Sequence, residues 1–150
     1  MRLTLVEGFL LLALDNKKGT FLIDSIALNH GMAGAVLMTL LVRERIRVEQ
    51  RRIYVTDASD TGSEFLNLML GIIHKSRKNR KVRRWVTRLA ARLKKNKYRM
   101  IDQLVAEGEL KKEQRMILGL IPHTVYPAAN TTLEDAIRAR LMDVIGEKKD

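Results

Sequence analysis

The side chains of this 150-residue chain with the most chemistry to offer are its cations. Between Lys75 and Arg99 lie thirteen basic residues and no acidic one: Lys75, Arg77, Lys78, Arg80, Lys81, Arg83, Arg84, Arg88, Arg92, Lys94, Lys95, Lys97 and Arg99. The chain carries 28 Lys and Arg against 17 Asp and Glu, a net charge of +11. Outside that run 15 basic residues face 17 acidic ones, so the rest is close to neutral. Positive charge so confined suits a polyanion, either phospholipid headgroups or nucleic acid. The plainer alternative is a solvated helix face that aids solubility.

Covalent chemistry finds little support. Asp60-Thr61-Gly62 copies the aspartic-protease tripeptide, but that reaction needs two carboxylates sharing one proton. Here the triplet precedes a helix, where Asp and Thr cap and Gly turns. His30, His74 and His123 are scattered, and none forms an i, i+4 pair with another ligand. Cysteine is absent, which excludes a disulfide scaffold, a thiolate zinc site and a cysteine nucleophile, and fits a reducing compartment. No glycine-rich phosphate loop, nucleophile elbow or dinucleotide fingerprint occurs. The expectation is a non-enzymatic protein with no catalytic residue, metal or cofactor.

The elements that would position the cations follow from pattern. The length fits a single domain over 1–150, and with 5% aromatic residues its core must be Leu, Ile, Val, Met and Ala. Thr4 with Glu7 three residues on is a capping box opening a buried first helix. Its apolar run is interrupted by Glu7, falls short of the ~20 residues that span a bilayer, and lacks a cleavage signal. That reading is of a soluble, intracellular protein. Gly19 ends a turn, and Thr20–Ile23 is a brief strand or the entry to a short helix. Gly31–Arg43 reads as a second buried helix. Arg45–Glu49 and Ile53–Thr56 alternate as a hairpin around 50–52, giving a winged-helix-like order. A turn at 57–62 leads to a third helix.

In the basic helix Val82, Trp85, Val86, Leu89 and Leu93 form one apolar stripe. Trp85 lies on it and reads as core, ahead of a membrane-interface anchor or a base-stacking platform. A further stripe, Met100, Ile101, Leu104 and Val105, stops at Gly108. Met116–Pro127 is a second hairpin or an apolar arm. Thr131 or Thr132 then caps a last helix carrying Leu133, Ile137, Leu141 and Ile145. The fold class is mainly α, a compact helical domain with two small β-hairpins.

Several pieces share the order of one family. Leu3-Thr4-Leu5-Val6-Glu7 runs into Leu10–Leu14. Gly31-Met32-Ala33-Gly34 is followed by Leu37, Leu40, Leu41 and Arg43-Glu44-Arg45-Ile46. Then come Asp57-Ala58 and, one residue later than the family has it, Thr61-Gly62. Trp85, and Arg99-Met100 with Leu104-Val105-Ala106-Glu107-Gly108-Glu109-Leu110, complete the set. Together they resemble the Golgi phosphoprotein 3 domain family.

The resemblance implies a mostly helical domain that binds phosphatidylinositol 4-phosphate and self-associates through an apolar hairpin. Eukaryotic members also engage cytosolic tails of membrane glycosyltransferases, and coatomer, on the Golgi. The two arginines of the family's lipid site fall on Lys94 and Lys97, its tryptophan on Asp24 and its third arginine on Ala33. Headgroup selectivity should therefore be weak and affinity for anionic surfaces general. The family's N-terminal tail has no counterpart, and one helix follows the second hairpin where the family has several. The chain reads as a shortened form or a compact, prokaryotic-type relative.

The resulting expectation is a cytoplasmic, peripherally membrane-associated adaptor, on the Golgi's cytosolic face if eukaryotic. Lys94 and Lys97, supported by Arg84, Arg88, Arg92 and Lys95, would contact headgroup phosphates. Ile117, Leu118, Leu120, Ile121, Val125 and Tyr126 would form the surface of a homo-oligomer. The alternative partner is nucleic acid, its phosphate backbone tracked by the basic helix of 75–99.

Overall fold

In the computed structural model of the chain, residues 4–129 are described. The expected last helix, with Leu133, Ile137, Leu141 and Ile145, lies outside them. The order is α1 (Leu5–Ala13), α2 (Ser25–Val42), β1 (Ile46–Glu49), β2 (Arg52–Val55), α3 (Glu64–His74), α4 (Val82–Ala106), β3 (Glu113–Ile117) and β4 (Ile121–Val125).

The starts of α1, α2 and α3 each have a local cause, a side-chain cap, whereas α4 starts after Lys81 without one. At α1 the Glu7 N–H donates to Thr4 Oγ1 at 3.2 Å while the Thr4 N–H reaches the Glu7 carboxylate. Asp24 caps α2 by accepting from the Ala27 N–H at 2.8 Å, so α2 begins six residues earlier than Gly31. Thr20–Ile23 supplies only an isolated bridge from Phe21 to Leu14. Ser63 caps α3 through the Leu66 N–H. The Asp60 carboxylate is engaged by the Gly62 N–H and the Asn67 amide, both at 2.8 Å. Donation by Asn67, then by Gly62, holds its pKa below the ordinary aspartate value; its work is to fold the turn.

The helix α2 is 18 residues long and apolar enough to cross a membrane on those two counts alone. It is instead the central element, packed against α1, α3, α4 and β1. Leu28, Met32, Val36 and Leu40 are fully buried along it. The partner helix α4 runs unbroken for 25 residues, about 37 Å at 1.5 Å per residue. It merges the two apolar stripes of the sequence into one. Trp85, Leu89, Leu93, Ile101 and Leu104 are each at most 1% exposed, and burying such a side chain contributes roughly 1.5–3 kcal/mol.

Two antiparallel hairpins flank this helical core. In the first, Ile46 pairs with Val55 and Glu49 with Arg52 across a two-residue turn, Gln50-Arg51. Both turn residues are left-handed, at φ 49° and 64°, the geometry that matches strand twist. The free edge of β2 takes up the approach to α4: Ile53 N–H donates to Arg80 O, and Val82 N–H to Arg51 O. The second hairpin pairs Glu113 with Val125 and Ile117 with Ile121. Its base is fastened to the α1–α2 turn. Tyr126 N–H donates to Gly19 O at 2.8 Å, and the Arg115 guanidinium donates to the Lys17 and Lys18 carbonyls, both at 3.0 Å.

Candidate functional site

The basic run divides where α4 starts. Lys75, Arg77, Lys78 and Arg80 lie in the α3–α4 connection and Lys81 at the helix N-cap, so the cationic helix is 82–106 rather than 75–99. Within α4, Arg84, Arg88, Arg92, Lys95 and Arg99 recur at i, i+4, i+8, i+11 and i+15 and are all exposed. At 100° per residue they share a stripe about 80° wide and about 22 Å long. None has a carboxylate within ion-pair distance among the described residues, where the ion pairs are Arg45–Asp57, Arg47–Glu49 and Arg115–Glu113. This is a continuous cationic rail with no internal counter-charge.

Lys94 and Lys97 do not join it. Lys94 is exposed, but its angular position puts it with Arg83 on the opposite flank of the buried stripe. Lys97 is 4% exposed, so it is no surface ligand. Its ammonium donates to Asn29 Oδ1 of α2 at 3.0 Å and to the Lys94 carbonyl at 3.2 Å. Burial, reinforced by the charge of Lys94, lowers its pKa from the ordinary lysine value. Sequence reasoning missed this role, although a signal existed. Lys97 is four residues after Leu93 and three before Met100, on the core stripe itself. Asp24 and Ala33 are spent on architecture, the first as the α2 cap and the second fully buried.

Trp85 sits in the core at 1% exposure. The guanidinium carbons of Arg80 and Arg88 stand 6.0 and 5.7 Å from its ring centre, within reach of cation–π attraction. Among the described residues no three His, Asp or Glu side chains gather to hold a metal ion.

The second hairpin splits in two. Val125 is 1% exposed and Tyr126 packs against the core, so these two serve the chain's own interior and not an exposed surface. Met116, Ile117, Leu118, Leu120 and Ile121 are exposed, Leu118 at 91% and Leu120 at 81%. At the tip Leu118 adopts φ 52° beside Gly119 at φ 70°. A large apolar residue is thus held in the left-handed region, where a side chain is disfavoured by roughly 1–2 kcal/mol, and presented to solvent.

The model of the family described as Golgi phosphoprotein 3 (GPP34) matches residues 5–150. The chain is similar to vacuolar protein sorting-associated protein 74 of Schizosaccharomyces pombe, 27% identical over 165 aligned positions that cover 96% of this chain and 48% of that protein. It is equally similar to the protein of that name from Eremothecium gossypii, 27% identical over 166 positions covering 95% and 49%. The chain therefore spans about half the length of the curated relatives it matches.

Proposed function

This chain belongs to the Golgi phosphoprotein 3 family, and from that premise we propose that it is a non-enzymatic, Golgi-associated adaptor that docks peripherally on anionic membranes. The observation that carries the lipid part is the rail of Arg84, Arg88, Arg92, Lys95 and Arg99, exposed and without carboxylate partners among the described residues. Each such side chain near an anionic leaflet contributes about 1 kcal/mol. Several acting together give useful affinity without a headgroup pocket. Lys94 adds charge on the adjoining flank, while Lys97 acts indirectly by fixing α4 against α2. Because Asp24 and Ala33 offer neither an aromatic nor a guanidinium, binding depends on charge density more than on phosphatidylinositol 4-phosphate itself. The exposed tip Ile117–Ile121 supports self-association, and a homo-oligomer would multiply the rails facing one surface. Cytosolic tails of membrane proteins are the protein clients this reading assigns to it.

Vesicle flotation tests it. Neutral vesicles, vesicles with phosphatidylserine and vesicles with phosphatidylinositol 4-phosphate at equal total charge are compared, with duplex RNA and DNA as competitors. Binding to both acidic sets and not to the neutral one is expected. Replacing Arg84, Arg88 and Arg92 together by glutamine should weaken it by about 100-fold, taking about 1 kcal/mol for each charge lost. Equal recovery with neutral and acidic vesicles refutes the reading, and nucleic acid that binds more tightly than either lipid replaces it with the winged-helix alternative.

A further inference from the structure

The central helix α2 keeps one long face in water. Ile26, His30, Gly34, Met38 and Leu41 recur at i, i+4, i+8, i+12 and i+15, with Val42 at the edge of the same stripe. Ile26 is 71% exposed and Val42 74%, and Met38 and Leu41 are about half-exposed. These four side chains leave on the order of 400 Å² of apolar surface in water, the size at which a patch often has a function. A Cβ at Gly34 would meet no described atom within 4 Å, so the middle of the stripe is open. The helix contains no Asp, Glu, Lys or Arg, so a charged ligand finds nothing on it to pair with.

Direction separates this face from the cationic rail. The hydrogen bond from Lys97 to Asn29 marks the sides on which α4 and α2 meet. At 100° per residue the rail is centred about 180° around α4 from Lys97, and the apolar stripe about 140° around α2 from Asn29. The two surfaces look away from each other, and a membrane held by the rail leaves the α2 face in water. The stripe is also self-complementary. Turned antiparallel on a copy of itself about Gly34, it sets Ile26 against Val42, His30 against Met38 and Gly34 against Gly34. Bulk at both ends and none at the centre suits a two-fold, isologous contact. Two such faces with their rims would bury on the order of 1,200 Å², the lower end of a stable specific interface.

We propose that the α2 face binds a second copy of this chain, antiparallel about Gly34, and that the resulting dimer bridges two anionic membranes. In the order α4–α2–α2–α4, at 8–10 Å for each helix contact, the two α4 axes stand about 30 Å apart with their rails outward. The hairpin tip is a different surface: it would add copies along one membrane, whereas the α2 contact joins copies across two. The bridging rests on the rail reading; the dimer does not.

The chain has no cysteine, so Gly34→Cys carries one thiol at the two-fold axis and Ala91→Cys one thiol on the exposed side of α4. With oxidised glutathione the first should form disulfide-linked dimers about 100-fold faster, because the contact raises the local thiol concentration from micromolar to roughly millimolar. Val42→Lys suits a helix C-terminus but would bury an ammonium against Ile26 of the second copy. It should raise the dimer dissociation constant at least about tenfold. Vesicles containing phosphatidylserine should be clustered by the unmutated chain, read as turbidity. Val42→Lys should abolish the clustering and leave flotation intact, while Leu118→Asp with Ile121→Asp should still cluster. Cross-linking at equal rates by the two cysteines, or clustering that Val42→Lys leaves unchanged, overturns the proposal and gives the face to a different apolar partner. Rapid Gly34→Cys cross-linking in a chain that binds no vesicle would uphold the dimer and refute both the rail and the bridging.

Discussion

Replacing Asn29 by leucine should reveal how the α2–α4 seam is held. The Lys97 ammonium is 4% exposed and has two acceptors, Asn29 Oδ1 at 3.0 Å and a carbonyl of its own helix at 3.2 Å. Leucine matches asparagine in size but leaves the charge with one acceptor. A hydrogen bond to a charged group is worth roughly 1.5–3 kcal/mol, so a loss of about 2–3 kcal/mol is expected. At roughly 3–4 °C per kcal/mol for a chain of this size, Asn29→Leu should melt about 6–12 °C lower at pH 7 by circular dichroism. Adding Lys97→Met should recover most of this, because an apolar pair of similar volume often matches or exceeds a buried polar one. The pH dependence has a definite sign. Burial depresses the folded-state pKa below the ordinary 10.5, so between those values the unfolded chain binds more protons and stability rises with pH. The single variant's deficit should shrink as pH climbs toward 10.5. A melting temperature within about 1 °C of the parent at pH 7, or a deficit independent of pH, refutes a buried ammonium at this seam.

Three further outcomes are expected. Gly19→Ala should lower the urea midpoint by an amount equal to about 2–4 kcal/mol, since Gly19 has φ 69° and a Cβ there would meet the Tyr126 backbone nitrogen at 2.6 Å; an unchanged midpoint would show that the hairpin base yields. Leu118→Asp with Ile121→Asp should leave the melting temperature unchanged while light scattering reports a smaller particle and flotation a weaker one, because both side chains are exposed; an unmutated chain that is already monomeric at tens of micromolar, an order-of-magnitude choice for a weak interface, contradicts the self-association reading. Thr4→Ala should cost about 1 kcal/mol in chemical denaturation, the usual value of an N-cap, and a neutral result would deny the capping box any weight.

Local signals carried through to the structure where they were self-contained. The Thr4–Glu7 box, the hairpin at 46–55, the third helix after the 57–62 turn and the core position of Trp85 could be read because each rests on residues a few positions apart; the cap of that helix is Ser63, not Asp60 or Thr61. The start of α2 could not. Ser25–His30 mixes polar and apolar residues without a clear stripe, and the glycine at 31 resembles a boundary, whereas the actual stop is the Asp24 carboxylate. The cations were legible as a run but not as surfaces. Charge alone does not separate Arg92, in solvent, from Lys97, whose acceptor lies 68 residues away in sequence. The second hairpin was visible as apolar density over 116–127, but its first strand begins at Glu113 in polar sequence; that Val125 turns inward and Leu118 outward depends on its anchorage to a distant turn.

That anchorage has a kinetic consequence. Arg115 reaches carbonyls 97 and 98 residues earlier in the chain, and the Ala128 N–H donates to Asn16 O. The loop after α1 therefore cannot complete its hydrogen bonds until almost the whole described chain has been synthesised. Contacts closed over such separations form slowly, because the entropy of loop closure is lost before they reward it. The α2–α4 pair can assemble first, with the hairpin joining as a later cooperative unit. In native-state hydrogen exchange, the amides of Tyr126 and Ala128, which donate to Gly19 O and Asn16 O, should open together and at lower free energy than those of Leu89 or Val36, a separable subunit of folding within one chain.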